Sequence, residues 1–295
     1  LNKKALESGI QVELVRRIGK GSTGTVWFGL LDSRPVAVKQ IELREVSAKR
    51  SLEVRNAIKH EVSLLQSLNC LHVVRYFGMF ASKAQQQITL IMELVTGLSV
   101  TALVLERIKL SERYAALIVH QVLLALHYLE ENKIIHRDIK PDNMLISERG
   151  VVKLIDFGTA ARLDLQGSRR STVGTPWYCA PEVIRCEDYT YSADIWSLGC
   201  TLIELLTGKP PFDDLQDVAC LFKMAEGQTP PLPPHVSADC TSFLKACLAP
   251  LPKDRAKANA LLDHPWISAM LSEHQTVSES LNRTIKDILQ DGSAK

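Results

Sequence analysis

Between residues 12 and 18 apolar and polar side chains alternate, the two-residue period of a half-buried strand, and the run ends in a glycine cluster. Residues 26–31 predict a second strand, Asp32-Ser33-Arg34-Pro35 a turn, and residues 36–41 a third strand. From 51 to 67 the period lengthens, and Ile58, Val62, Leu65 and Leu68 fall on one helical face. Two more strands are predicted over 73–80 and 88–94. Residues 12–95 therefore read as a sheet that carries one long helix.

Beyond Gly97 the pattern turns helical. Ser111 is placed to cap a helix running to about residue 132, with Glu112 in its first turn. Residues 191–207 predict another, ended by Gly208 and Pro210. Further helices are predicted over 215–226, 237–247 and 259–271. The tail, 272–295, puts Val277, Leu281, Ile285 and Ile288 on one face. Its default use is packing on its own helical unit; docking a partner or a second copy is the alternative. No internal repeat is present. The organisation is a small sheet-rich lobe followed by a larger helical one.

Composition narrows the class. Of 295 residues, 46% are hydrophobic and 23% charged, which excludes a disordered chain. Lys and Arg total 35 against 33 Asp and Glu, a net charge of +2, so no nucleic-acid partner is implied. No run approaches the ~18 apolar residues of a membrane span. The richest segment, 115–129, is broken by His120, Gln121 and His127. Seven cysteines, an odd number without a Cys-x-x-Cys pair, fit reduced thiols in a cytoplasmic protein better than disulfides or zinc. No signal-peptide pattern opens the chain, and because it begins at Leu1 and not at Met it is expected to be a processed or excised piece of a longer protein.

Five segments carry chemistry. Gly19-Lys20-Gly21-Ser22-Thr23-Gly24 lies between two strands, where glycines let backbone N–H groups approach phosphates; alone it fits an ordinary hairpin turn as well. Val36-Ala37-Val38-Lys39 buries a lysine in a valine-rich strand, which is costly without a partner, and Glu61 on the predicted helix is the natural one. An edge-strand lysine reaching water is the alternative. His136-Arg137-Asp138-Ile139-Lys140-Pro141-Asp142-Asn143 is followed by Asp156-Phe157-Gly158 and then by Ala180-Pro181-Glu182.

In this order the segments match H-R-D-x-x-x-x-N, D-F-G and A-P-E, and the chain resembles the eukaryotic protein kinases over residues 12–271. The resemblance implies an α+β bilobal fold, an N-lobe of about 12–95 and a C-lobe of about 96–271, with ATP between them and Mg2+ as the metal. It implies that Asp138 accepts the substrate hydroxyl proton, that Asn143 and Asp156 hold metal, and that Lys39, positioned by Glu61, holds the α- and β-phosphates. Lys140, as in serine/threonine kinases, would neutralise the γ-phosphate with help from Thr175. Gly19, Gly21 and Gly24 would cover the phosphates. Ile18, Val26, Ala37 and Leu145 would hold the adenine, Met92 would stand behind it, and Glu93 and Val95 would bond it through the backbone. Phe157, His136 and Leu65 would stack, Glu182 would pair with Arg255, and Asp194 would anchor the catalytic loop.

Within the kinases the chain is most similar to the STE group and its MEKK-like MAP kinase kinase kinases. The similarity lies in Gly174–Ile184, Asp194–Pro211 and Leu221–Ser237. It departs from them at Pro141-Asp142, at Thr159-Ala160 and at Cys179. The resemblance implies a protein substrate, namely a downstream kinase, and activation by an upstream kinase or by autophosphorylation. Ser171 and Thr172 are the expected phosphosites, with Arg137 as charge partner. A dimer is a candidate assembly. A PAK-like kinase is an alternative. So is a pseudokinase scaffold, against which stand the five residues Lys39, Glu61, Asp138, Asn143 and Asp156.

Overall fold

The computed structural model describes residues 2–5, 11–21, 24–42, 66–82, 87–105, 110–163, 175–271 and 274–292. Its first third forms β1 (Asn2–Ala5), β2 (Gln11–Gly21), β3 (Gly24–Leu31), β4 (Arg34–Glu42), β5 (Tyr76–Ser82) and β6 (Gln87–Glu93), all but β1 carrying β-branched or aromatic residues. They make one antiparallel sheet in the order β1-β2-β3-β4-β6-β5. β3 and β4 are joined at Asp32 and Ser33, whose φ values of 47° and 66° give the two-residue turn that suits strand twist. The turn is thus tighter than the predicted 32–35, and Pro35 already lies in the strand, opposite Leu30. It precedes the first residue of β4 that pairs with β6, Val36, so no ladder bond is lost there.

Residues i and i+2 of a strand share a face, so β4 divides its neighbours cleanly. Val36 and Val38 point into a buried cluster with Val12 and Ile91, flanked by Leu14, Trp27, Leu31 and Phe80. Ala37 and Lys39 point the other way. The strand predicted from residue 73 starts at Tyr76; Val73 and Val74 are buried just before it. β1 had no counterpart in the hydrophobic pattern. The helix predicted over 51–67 lies, up to residue 65, outside the described residues.

The chain divides into two compact units, Leu1–Thr96 and Gly97–Lys295. The second holds helices α1 (Val100–Leu105), α2 (Glu112–Glu131), α3 (Pro181–Ile184), α4 (Ser192–Thr207), α5 (Asp217–Ala225), α6 (Ala238–Cys247), α7 (Ala258–Leu262), α8 (Pro265–Leu271) and α9 (His274–Gly292). Short strands β7 (Gly97–Ser99), β9 (Met144–Ser147) and β10 (Val152–Leu154) make one small sheet, and β8 (Ile134–Ile135) pairs with β11 (Ala161–Arg162). A sheet unit followed by a mainly helical one is the α+β architecture that the pattern predicts.

The centre of the helical unit is α4, buried at every position from Ala193 to Leu205. Gly199 permits this, since a Cβ there would stand 2.9 Å from Cys247 and Leu248. Gly208, at φ +78°, closes the helix. Ser111 caps α2 by accepting from the Tyr114 amide, and Ser237 caps α6 through Cys240. One prediction needs correction: 259–271 is two helices, not one. Pro265 has no N–H to continue the first, and it opens the second. In the tail helix Leu281 and Ile285 are fully buried, and the helix lies on α2 and β7. Among the described residues no helix is long and apolar enough to cross a membrane.

Candidate active site

The site is built around the loop that follows β8. Asp194, in the first turn of the buried α4, reaches back to this loop. Its Oδ2 accepts from the His136 amide and its Oδ1 from the Arg137 amide, both at 2.8 Å. Arg137 is thereby held at φ 70°, a conformation that costs a non-glycine residue energy. Burial pushes the Asp194 carboxyl up, and the bonds from His136 and Arg137 pull it back. The buried His136 ring packs edge-on against Phe157, with centroids 4.6 Å apart. Its Nε2 bonds the Ile155 carbonyl at 3.2 Å while Nδ1 accepts from the Asp138 amide at 3.3 Å. Burial lowers the His136 pKa, so the ring is neutral and one tautomer satisfies both bonds.

Asp138 stands at the centre of three polar groups. Thr175 Oγ1 donates to Oδ1 at 2.9 Å, Asn143 Nδ2 donates to Oδ2 at 2.7 Å, and Lys140 Nζ is 2.9 Å from Oδ2. Lys140 also donates to Thr175 Oγ1 at 2.5 Å, which leaves the threonine proton for Asp138. Burial alone would raise the Asp138 pKa. The bonds and charge of Lys140, then Thr175 and Asn143, outweigh it and hold the carboxyl below its ordinary value. The group is an anion at neutral pH, so its oxygens are available to accept a hydrogen bond from a substrate hydroxyl.

The same network orients Asn143. Its amide donates both to Asp138 Oδ2 and to the Asp138 carbonyl, the latter at 2.8 Å. The nitrogen is thus used up, and no donor among the described residues meets Oδ1. The Ile155 amide donates to the Asn143 carbonyl at 2.9 Å, so Asp156, the next residue, begins beside it. Asp156 has φ 60°, which turns the chain sharply there. A hard oxygen donor beside a carboxylate suits Mg2+, which takes few protein ligands and completes its shell with phosphates and water. No cluster of three or more His, Cys, Asp or Glu able to hold a metal occurs among the described residues.

Other predicted contacts are direct. Arg255 meets the buried Glu182 through two nitrogens, at 2.7 and 3.1 Å, donates to the Ser192 carbonyl at 2.7 Å, and lies over the Trp196 ring. Arg137 donates to the Thr159 carbonyl, to the Ala160 carbonyl at 3.4 Å and to the Tyr189 hydroxyl at 3.3 Å. Its predicted phosphate partners, Ser171 and Thr172, lie outside the described residues, as do Glu61 and Leu65.

In the sheet unit, register does the positioning. Gly19 stands opposite Val26, and Gly21 opposite Gly24. Val26 stands opposite Lys39, Lys39 opposite Leu90, and Ala37 opposite Met92. Val26, Ala37, Lys39 and Met92 therefore share the face turned away from the valine cluster. Lys39 is 8% exposed. Gly24, at φ +153°, passes so close to β4 that a Cβ would lie 2.2 Å from the Gln40 carbonyl. Ile18 is exposed and Val95 half-buried. Glu93 is locked at both ends of its residue: its amide donates to the Arg75 carbonyl at 2.8 Å, and its carboxylate accepts from the Arg75 amide at 3.3 Å. Leu145 belongs to the helical unit, on β9 opposite Ser99 and Lys153.

Sequence reasoning missed two groups. Tyr178 donates to Glu204 at 2.5 Å, and Ser197 donates to the Tyr178 carbonyl at 2.7 Å, tying the segment after Thr175 to α4. A glutamate in the last turn of an otherwise apolar stretch of helix was the available signal. The other is Gln121, which the hydrophobic pattern marks only as an interruption.

Comparison with known proteins agrees with this geometry. The protein kinase domain family model matches residues 12–267. The chain is 40% identical over 255 residues to MAP3K epsilon protein kinase 1 of Arabidopsis thaliana, covering 85% of this chain and 18% of that protein. It is 39% identical over 252 residues to cell division control protein 7 of Schizosaccharomyces pombe, covering 85% and 23%. It is 36% identical over 289 residues to a Dictyostelium discoideum protein named a probable serine/threonine-protein kinase, covering 97% and 57%. The chain thus spans between about a fifth and three-fifths of the length of these relatives.

Proposed function

The chain belongs to the protein kinase domain family and is of the serine/threonine type; from that premise we propose that it acts in the cytoplasm as a MAP kinase kinase kinase. It would move the γ-phosphate of ATP to a serine or threonine of a downstream protein kinase. The observation that carries the chemical reading is the Asp138 carboxylate, ionised and aimed by Lys140, Thr175 and Asn143. Transfer of a phosphoryl group needs an oriented hydroxyl, an acceptor for its proton and fixed positive charge near the phosphate oxygens. Asp138 supplies the first two. Lys140, between Asp138 and Thr175, supplies charge at the γ-phosphate.

Asn143 Oδ1 and Asp156 are the residues that would hold Mg2+, which when bound would neutralise charge on the phosphate oxygens. Lys39, with Glu61 as its partner, is assigned to the α- and β-phosphates, and the backbone of Gly19, Gly21 and Gly24 to their cover. Ile18, Val26, Ala37, Met92 and Leu145 are assigned to the apolar adenine site, with the backbone of Glu93 and Val95 as its hydrogen-bonding edge. Phosphorylation of Ser171 or Thr172, by an upstream kinase or in trans within a dimer, is the assigned activation step. The catalytic unit is taken as 12–271, with 272–295 as its helical tail.

The MAP kinase kinase kinase assignment rests on the Arabidopsis relative and on the MEKK-like segments. A second reading, a kinase that signals in cell division, rests on the fission-yeast relative at nearly the same identity. The test is an assay of the purified chain with ATP and Mg2+ against catalytically inactive MAP kinase kinases, with phosphosite mapping. Activation-loop phosphorylation of such a kinase is the expected result, and its absence alongside phosphorylation of other proteins overturns the substrate assignment. Asp138→Asn is expected to lower transfer by about 10²–10⁴-fold without loss of fold. Full activity in that variant would refute the mechanism.

A further inference from the structure

The hairpin β9–β10 connects the two residues assigned to the metal. Asn143 immediately precedes β9, and Asp156 follows β10 by one residue, with Val152 opposite Ile146 and Leu154 opposite Met144. The far end of the hairpin is its turn at 148–151, roughly 10 Å away along three residue pairs. That turn is gripped from outside. Gln121, on α2, donates from Nε2 to the Gly150 carbonyl and accepts at Oε1 from the Val152 amide, both at 3.0 Å. One side chain thus bonds both the turn and the first residue of β10.

A second element closes over the same point. The tail helix α9 is seated on α2 by the buried Leu281 and Ile285 and by a 2.6 Å bond between Tyr114 and Ser280 hydroxyls. It brings Asn282 against Gly150: a Cβ on Gly150, which has φ +73°, would lie 2.4 Å from Asn282 Oδ1. The tail helix begins beyond residue 267, where the family model stops. A side chain from α2 and a helix outside the matched region therefore meet on one glycine of the metal-bearing hairpin.

We propose that Gln121, backed by the tail helix, is a positioning residue for the metal site. It fixes the hairpin turn against α2, so that the strand ends carrying Asn143 and Asp156 keep their register. The proposal rests on the assignment of those two residues to the metal. Outer contacts that orient ligands typically change metal affinity 10- to 100-fold when removed. For a residue acting through the hairpin, the low end, about tenfold, is expected.

The test uses the full chain and Mn2+ as the probe, titrated by electron paramagnetic resonance in the presence of a non-hydrolysable ATP analogue. Gln121→Ala is expected to weaken Mn2+ binding about tenfold, with faster hydrogen exchange at the Val152 and Ile155 amides and with KM for the protein substrate unchanged. Gln121→Glu, which keeps the acceptor for Val152, is expected to fall between. Should Gln121→Ala fail to fold, Gly150→Ala gives the same readout, and pairing it with Asn282→Ala should recover part of the loss. Unchanged Mn2+ affinity and exchange overturn the proposal. Asp156→Asn separates the layers. If it abolishes Mn2+ binding while Gln121→Ala does not disturb it, only the positioning role fails; if Asp156→Asn leaves binding intact, the metal assignment fails and takes the positioning role with it.

Discussion

Val26, Lys39 and Leu90 stand abreast in the sheet unit because three strands pair in register. His136 and Arg137 in the helical unit stand where they do because the carboxylate of Asp194, 58 and 57 residues further on, holds their amides. The first device is periodic, and each residue inherits its place from its neighbours. The second is aperiodic, and a loop keeps an unfavourable backbone angle only while distant polar groups hold it. The comparison teaches where each unit is vulnerable. A sheet face tolerates loss of one polar partner but not a change of shape, whereas the loop network depends on single charges whose removal strands another.

The largest effect expected tests the second half of that contrast. Arg255→Met removes the partner of Glu182, which is only 1% exposed, and leaves a buried carboxylate unpaired. Urea unfolding should show a loss of about 3–5 kcal/mol. A loss under about 1 kcal/mol would mean that the helical unit is not held by such pairs.

The next test divides one strand between its faces. Val38 is fully buried in the valine cluster, and Ala37 faces the opposite way. Val38→Ala should cost about 2 kcal/mol of stability and leave KM for ATP unchanged. Ala37→Leu should raise KM for ATP by about tenfold or more, with a smaller change in melting temperature. If both substitutions move both quantities equally, the division of faces is not the division of roles.

The smallest effect concerns pH. The folded pKa of Asp138 lies below its ordinary value. Its contribution to stability is therefore complete above the unfolded carboxylate value and is lost as pH falls through the folded one. The acid limb of kcat/KM due to this group should lie below the ordinary carboxylate range. Thr175→Val, which removes one donor, should move that limb upward. An acid limb that does not move in Thr175→Val would deny the threonine its part.

Much of this was legible in the linear pattern. Alternation located β2, and short apolar runs bounded by turn residues located β3, β4 and β6, the last two buried along five consecutive positions. Lys39, Asp138, Asn143 and Asp156 could be named as candidates because each stands in a short segment whose residue types serve one chemistry. The break at Pro265 was written in the chain, yet apolar spacing masked it. Thr175 could be named as a helper, but not its bond to a carboxylate 37 residues earlier. Gln121 left no signal beyond its polarity, since its role depends on a turn 29 residues away.

Residue order alone therefore specifies the strands, the helices and the kinds of chemical group at hand, because those depend on local spacing and on side-chain chemistry. Which end of the Asn143 amide is spent, which tautomer His136 adopts, and that the Asp138 carboxyl is held below its ordinary value follow from contacts made in the folded chain. Such contacts exist only once the chain has closed on itself. Burial and hydrogen bonding act at distances of a few ångströms, and no sequence separation encodes those.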